Sequence, residues 1–185
     1  MPTPDRTSID EITAAAREIL ETQGHAGLTM QAVADRVGVR APSLYKRVRN
    51  RDDLVRIVTE ATVRDMGEKL HALPVTTDTR LDLTEFAHAL RAFAKTCPNA
   101  FRLIMGSGPV TVALEPDLLV HVLAPLFRIA TELAGPDQAL ETARTLTAWA
   151  GGFITMELAG AFNLGGDVEG AFNYGIAHLA RAFAP

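Results

Sequence analysis

Apolar side chains recur along this chain at spacings of three and four, the period of an α-helix. Ile9, Ile12, Ala16, Ile19 and Leu20 form the first such stripe, with Arg17, Glu18 and Glu21 turned outward. Ser8-Ile9-Asp10-Glu11 opens it as a capping box, in which Ser8 and Glu11 satisfy each other's backbone donors, and Gly24 stops the helix. Thr29 caps a short second helix with Val33, Ala34 and Val37 inward, and Gly38 supplies the left-handed residue that ends it. Pro42 suits the first turn of a third helix, Ala41 to Val48, where its missing N–H costs nothing. Asp52 and Asp53 favour a fourth start, followed by Leu54, Ile57, Val58 and Ala61.

Past Leu73-Pro74 a turn-rich stretch, Val75 to Thr79, separates this unit from the rest. Leu83, Phe86, Ala87, Leu90, Phe93, Ala94 and Cys97 form a further stripe, which Pro98 breaks. A short helix through Met105 and a Gly106-Ser107-Gly108-Pro109 loop follow. Leu119, Val122, Leu123, Leu126, Ala130 and Leu133 give another stripe; Gly135-Pro136 ends it and starts a helix running to about Asn163. Gly165-Gly166 precedes the last stripe, Val168, Phe172, Ile176, Leu179 and Phe183. Strand signals are few. The expectation is an all-α fold of about nine helices, with an N-terminal three-helix unit at 1–65 and a helical domain at 75–185.

Charge changes this picture locally. The chain of 185 residues carries a net charge of −4, which argues against indiscriminate coating of nucleic acid. By segment, residues 1–64 hold ten Lys/Arg against nine Asp/Glu, and residues 65–185 hold eight against thirteen. Between Arg36 and Arg51 stand Arg36, Arg40, Lys46, Arg47, Arg49 and Arg51, with no acid among them. Arg36 can equally pair with Asp35 or Asp52.

The second and third helices flank a tight glycine turn, the geometry that braces one helix while the other enters a major groove. Leu44 and Val48 face inward; Pro42, Ser43, Lys46 and Arg47 share the opposite face, so small, hydroxyl and basic groups point outward together. Short residues let the backbone approach the groove floor, and Lys46 and Arg47 can donate to guanine acceptors or to phosphates. Tyr45 offers a hydroxyl to a phosphate on the groove wall. Arg49 and Arg51 lie where the start of the fourth helix adds N–H donors for a phosphate.

The string Leu28-Thr29-Met30-Gln31-Ala32-Val33-Ala34-Asp35-Arg36-Val37-Gly38-Val39, then Pro42-Ser43-Leu44-Tyr45 and Val48-Arg49-Asn50-Arg51-Asp52-Asp53-Leu54, resembles the DNA-binding signature of the TetR family. The resemblance covers about fifty residues. It implies a transcriptional regulator in which Thr29 and Tyr45 contact phosphates; Arg51 stands where that family usually has lysine, and Arg47 where histidine is common. The DNA-contacting set expected on these grounds is Thr29, Arg40, Ala41, Pro42, Ser43, Tyr45, Lys46, Arg47, Asn50 and Arg51. Trp149-Ala150-Gly151-Gly152-Phe153 with Met156-Glu157-Leu158-Ala159-Gly160-Ala161-Phe162 is similar to the WHG-type ligand-binding domain of some TetR-like proteins, Gly151 replacing the histidine. The resemblance also implies a homodimer on a palindromic double-stranded operator, joined through its last two long helices, and release by a small-molecule effector.

Phe86, Leu90, Phe93, Phe101, Met105, Trp149, Phe153 and Met156 are candidate linings for a largely apolar effector pocket, since flexible methionines and large aromatics suit one. Arg102 and Glu157 are candidates for its polar group. Other chemistry finds little support. Cys97 continues an apolar stripe, and His88, nine residues before it, falls on the opposite helix face. His25, His71, His88, His121 and His178 are scattered, with no pair at ligand spacing, so neither a metal nor a cofactor is expected. Gly106-Ser107-Gly108 is too short for a phosphate loop. Thr145 to Gly166 has the single charge Glu157, but its glycines and threonines fit a buried helix better than a bilayer span. The expectation is a cytoplasmic regulator without enzymatic activity or membrane partner, most simply a repressor; the alternatives are a small all-α enzyme and a helical partner protein that does not bind DNA.

Overall fold

A computed structural model of the chain describes residues 8–106 and 113–183, so Ser107, Gly108 and Pro109 of the expected loop lie outside the described residues. All regular structure among the described residues is helical. In chain order the helices are α1 (Ile9–Gly27), α2 (Met30–Arg36), α3 (Ala41–Leu44), α4 (Arg51–His71), α5 (Thr79–Thr96), α6 (Pro98–Ile104), α7 (Pro116–Ala134), α8 (Ala139–Leu158) and α9 (Val168–Phe183). A 3-10 turn, Pro136–Gln138, leads into α8.

The start and stop residues act as the sequence implies. Glu11 N–H donates to Ser8 Oγ at 3.1 Å, and Ser8 N–H donates back to Glu11 Oε2 at 2.7 Å. Gly24, at φ 70°, breaks the regular turn of α1 before its last residues. Thr29 caps α2 by accepting from Ala32 N–H at 3.1 Å. At the other end of α2, Gly38 N–H donates to Asp35 O and Val39 N–H to Ala34 O. That paired closure requires a left-handed residue between them, and Gly38 sits at φ 74°.

Two helices end earlier than their stripes suggest. α3 closes at Leu44, and Lys46 and Arg47 N–H then donate only three residues back, to Ser43 O and Leu44 O. Val48 nevertheless stays buried beside Leu44. α8 stops at Leu158 rather than near Asn163, because Gly160 takes φ 65° and its N–H, with that of Ala161, closes onto Glu157 O and Met156 O. Leu119, placed inward by the periodicity of α7, is exposed.

The chain divides into two compact units. The first holds the described residues up to Val63 together with those from Cys97 to Leu114; the second holds Arg64–Thr96 and the residues from Glu115 onward. The core of the first joins Ile12, Ile19 and Leu20 of α1 to Leu28, Val33, Leu44, Val48 and Leu54. Helix α6 belongs to it: the Glu21 carboxylate accepts from Asn99 N–H at 3.0 Å and Ala100 N–H at 2.8 Å, capping α6 from α1.

In the second unit, α5, α7, α8 and α9 bury Phe86, Leu90, Phe93, Leu126, Ile129, Leu146, Ile154, Phe172 and Ile176. Truncating a fully buried ring such as Phe172 to alanine costs on the order of 3–5 kcal/mol. Helices α8 and α9 approach closely at Gly175, where a Cβ would lie 2.1 Å from Trp149 Cζ2. The Trp149 ring stacks instead on Phe172, with centroids 5.3 Å apart.

Candidate nucleic-acid interface

Helix α3 is held from beneath by Leu44 and Val48, both buried in the first unit's core. This leaves Pro42, Ser43, Tyr45, Lys46 and Arg47 exposed on one side, with Arg40 exposed just before them and Ala41 half-buried. Tyr45 is 53% exposed despite its large ring. An exposed tyrosine flanked by Lys46 and Arg47, on a helix whose small residues present backbone, is suited to a phosphate-walled groove.

The six cations of the basic run have separate environments. Arg36 pairs with Glu18 of α1, not with Asp35 or Asp52, while Asp35 accepts from Gln31 Nε2 at 2.7 Å. Arg49 lies 3.4 Å from the Asp53 carboxylate, which also accepts from Arg49 N–H at 2.9 Å. Arg51 points its Nε to Leu28 O at 2.8 Å and an Nη to His25 O at 2.6 Å. Its guanidinium thus ties the start of α4 to the carbonyls at the end of α1. Arg40, Lys46 and Arg47 are the exposed basic residues nearest α3.

Asn50 and Thr29 both act as helix caps. Asn50 Oδ1 accepts from Asp53 N–H at 2.8 Å, ahead of the first turn of α4. Asp53 is a hub: the Arg49 N–H, then the Arg56 guanidinium at 2.8 Å, hold its carboxyl down at about 2, against a smaller opposing effect of burial. His25 lies below the ordinary histidine range because of burial first and the Arg51 cation second. A cap oxygen already accepting a backbone N–H keeps its hydroxyl proton or amide donors for a phosphate, so both roles fit one side chain.

The ten residues expected around an effector are divided between the two units. Phe101 and Arg102 of α6 and Met105, which caps it, are in the first unit, and the other seven are in the second. There Trp149, Phe153 and Phe172 form an aromatic cluster with centroids 5.1–5.7 Å apart. Phe86, Leu90 and Phe93 are buried in α5, and Met156 is 48% exposed on α8. Glu157 is committed to cations: Arg91 Nε and an Nη each donate to it at 2.7 Å, and Lys95 Nζ lies at 2.9 Å. Hydrogen bonds from Arg91, then from Lys95, hold its carboxyl below the usual range against burial. Arg91, 4% exposed, also pairs with Glu169 of α9 and sits 4.7 Å above the Phe172 ring. Sequence reading missed Arg91; a lone arginine at a buried period of the α5 stripe was the available signal.

The second unit also contains a cavity of about 270 Å³, open on one side, between the end of α4, the segment after it, α5 and α7. Phe86 lines it; Leu90, Phe93, Trp149, Phe153, Met156 and Glu157 do not. Among the described residues no three His, Cys, Asp or Glu side chains gather as a metal site, and no helix is long and apolar enough to cross a membrane.

Comparison with known proteins fits this geometry. The family model described as bacterial regulatory proteins of the tetR family matches residues 12–58, and that of the tetracyclin repressor-like C-terminal domain matches residues 83–179. The chain is 28% identical over 110 residues to the class E tetracycline repressor protein of Escherichia coli, covering 60% of this chain and 52% of that one. It spans about half the length of the curated relatives it matches. A solved structure described as a regulatory protein, SCO4313, superposes with a TM-score of 0.76 at 26% identity, covering 92% of this chain and 93% of that one. A variant of TetR from Acinetobacter baumannii AYE, in complex with minocycline, has the same fold, with a TM-score of 0.73 at 23% identity and 96% of both chains covered.

Proposed function

Since the chain belongs to the TetR family of bacterial regulatory proteins, we propose that it binds a palindromic operator as a homodimer and releases it when a small, largely apolar effector binds. The reading head is built on residues 1–65, and effector binding and dimerisation belong to the second unit. The observation that carries this reading is the exposed face of α3: Pro42, Ser43, Tyr45, Lys46 and Arg47 outward, with Leu44 and Val48 anchoring it.

A four-residue helix reads too few bases for specific binding alone, and a two-fold axis doubles the contact. Helix α8 supports self-association. Thr145, Ala148, Gly152 and Met156, with Ala159 just past the helix end, are exposed along one helical face, and all are small or flexible. A side chain at Gly152 would meet nothing within 4 Å in the single chain, so that face is free to accept a second copy. On the operator, Ser43, Lys46 and Arg47 address base edges or phosphates, while Thr29, Tyr45 and Asn50 address the backbone, with Arg40 beside them. Arg51 serves this contact chiefly by fixing the start of α4 against the end of α1.

The protein then works in the cytoplasm as a repressor, blocking its operator until the effector favours another spacing of the two reading heads. Heads about 34–36 Å apart fit successive major-groove turns, and a ligand that binds the two states differently by a few kcal/mol shifts the balance. Selection of duplexes from a random pool by the purified protein tests the proposal. Enrichment of a two-fold palindrome is the expected result; recovery of unrelated sequences refutes it.

A further inference from the structure

Helix α7 contains Pro125 in its interior, and a proline has no N–H to donate to the carbonyl four residues before it. That carbonyl belongs to His121. It is satisfied from outside the helix: His71 Nε2, at the end of α4, lies 2.8 Å from His121 O. A carbonyl oxygen only accepts, so His71 Nε2 carries the proton. In neutral His71 the other nitrogen, Nδ1, is therefore a hydrogen-bond acceptor. The two imidazoles also stack, 4.6 Å between centroids and 12° from parallel, which fixes the His71 ring.

His71 and Pro125 both line the cavity of about 270 Å³ described above. Its remaining wall is chiefly apolar, with Leu70, Phe86, Ala124 and Ile129 and the Leu73–Val75 segment. The other polar side chain is Arg128, whose charge is already matched twice. Its Nη2 donates to the buried Asp82 at 2.8 Å, and its Nη1 to both oxygens of Glu132 at 3.0 Å. Two carboxylates against one guanidinium leave excess negative charge, which disfavours an anionic guest.

We propose that this cavity is a binding site for an uncharged, compact hydrocarbon carrying one hydroxyl, of the phenol or cyclic-alcohol class, with the hydroxyl donating to His71 Nδ1. The proposal rests on the reading of the chain as an effector-controlled regulator, and it moves the effector site from the Trp149–Phe153 cluster to the contact between α4 and α7. Size agrees with two fused rings, since a dry cavity of roughly 150 Å³ already accepts benzene. Specificity follows from the lining: a guest without the hydroxyl forgoes the hydrogen bond to His71 Nδ1, and a carboxylate guest meets an Arg128 whose charge Asp82 and Glu132 already outweigh.

Calorimetric titration of the DNA-free full chain with 2-naphthol, naphthalene and 2-naphthoate tests this. The expected result is one 2-naphthol per chain, held at least tenfold more tightly than either of the others. His71→Phe is expected to bring 2-naphthol down to the level of naphthalene. Ala124→Trp, at an exposed position on the cavity wall, is expected to abolish 2-naphthol binding by filling the space. No 2-naphthol binding to the wild type, equal binding of all three probes, or full binding by Ala124→Trp each overturns the proposal. A chain that binds duplex but not 2-naphthol removes this site alone; one that binds 2-naphthol but no duplex removes the regulatory reading and leaves the site.

Discussion

Replacing Arg51 with alanine separates two roles that the sequence alone merges. The guanidinium makes two charged hydrogen bonds, to Leu28 O at 2.8 Å and His25 O at 2.6 Å. Hydrogen bonds to a charged group contribute roughly 1.5–3 kcal/mol each when well buried, and typical ones about 1. Arg51 is half-buried, so the pair is taken at about 1 kcal/mol each, or about 2 kcal/mol in all. For a chain of this length, that lowers the melting temperature by about 4–8 °C. Arg51→Lys keeps the charge but offers no planar pair of donors, and recovers about half the loss. Thermal unfolding followed by circular dichroism, at one fixed protein concentration because a dimer's melting point depends on it, reads the effect. A melting point unchanged within about 1 °C for Arg51→Ala, together with weakened binding to every duplex, would falsify the inward role and return Arg51 to the phosphate.

Tyr45→Phe is expected to weaken operator and non-operator duplexes alike, by about three- to tenfold, whereas Lys46→Ala alters the preferred base at one position of each half-site; binding measured on a panel of single-base operator variants distinguishes them. Gly152→Arg is expected to give a folded monomer, since the added side chain meets open space within one chain; sedimentation as a dimer contradicts the α8 interface. Asp53 has its carboxyl lowered to about 2 in the fold, so it contributes stability above the unfolded value near 4 and loses it as the pH falls towards 2. Urea unfolding between pH 7 and 2 is expected to show that acid-limb loss in the wild type and a smaller one in Asp53→Asn, and equal pH dependence in the two proteins counts against the hub.

Local signals were legible in the sequence because each acts within a few residues. The Ser8–Glu11 box, the Thr29 cap, the Gly38 closure and the inward Leu44–Val48 pair all lie within five positions of their partners. What escaped was settled by distant partners. Arg36 had local acids to choose from, yet it reaches Glu18, eighteen residues back. Arg51 finds carbonyls 23 and 26 residues away, which no spacing rule indicates. Glu157, read as a polar group for a guest, is neutralised by Arg91 from 66 residues upstream. That His71 supplies the donor Pro125 lacks depends on α4 meeting α7, which no local pattern indicates. The boundary of α3 was lost for a different reason: Val48 keeps the helical period while the backbone tightens after Leu44.

The central claim is that the face of α3 grips DNA through Arg40, Lys46 and Arg47 in each of two chains. Six phosphate-neutralising cations per dimer give a slope of log affinity against log salt of about −5. Affinity for the selected operator, measured by fluorescence anisotropy from 50 to 200 mM salt, should therefore fall about a thousandfold. At each salt it should remain at least a thousandfold tighter than for a scrambled duplex. A flat salt dependence, or equal affinity for the scrambled sequence, would contradict the account.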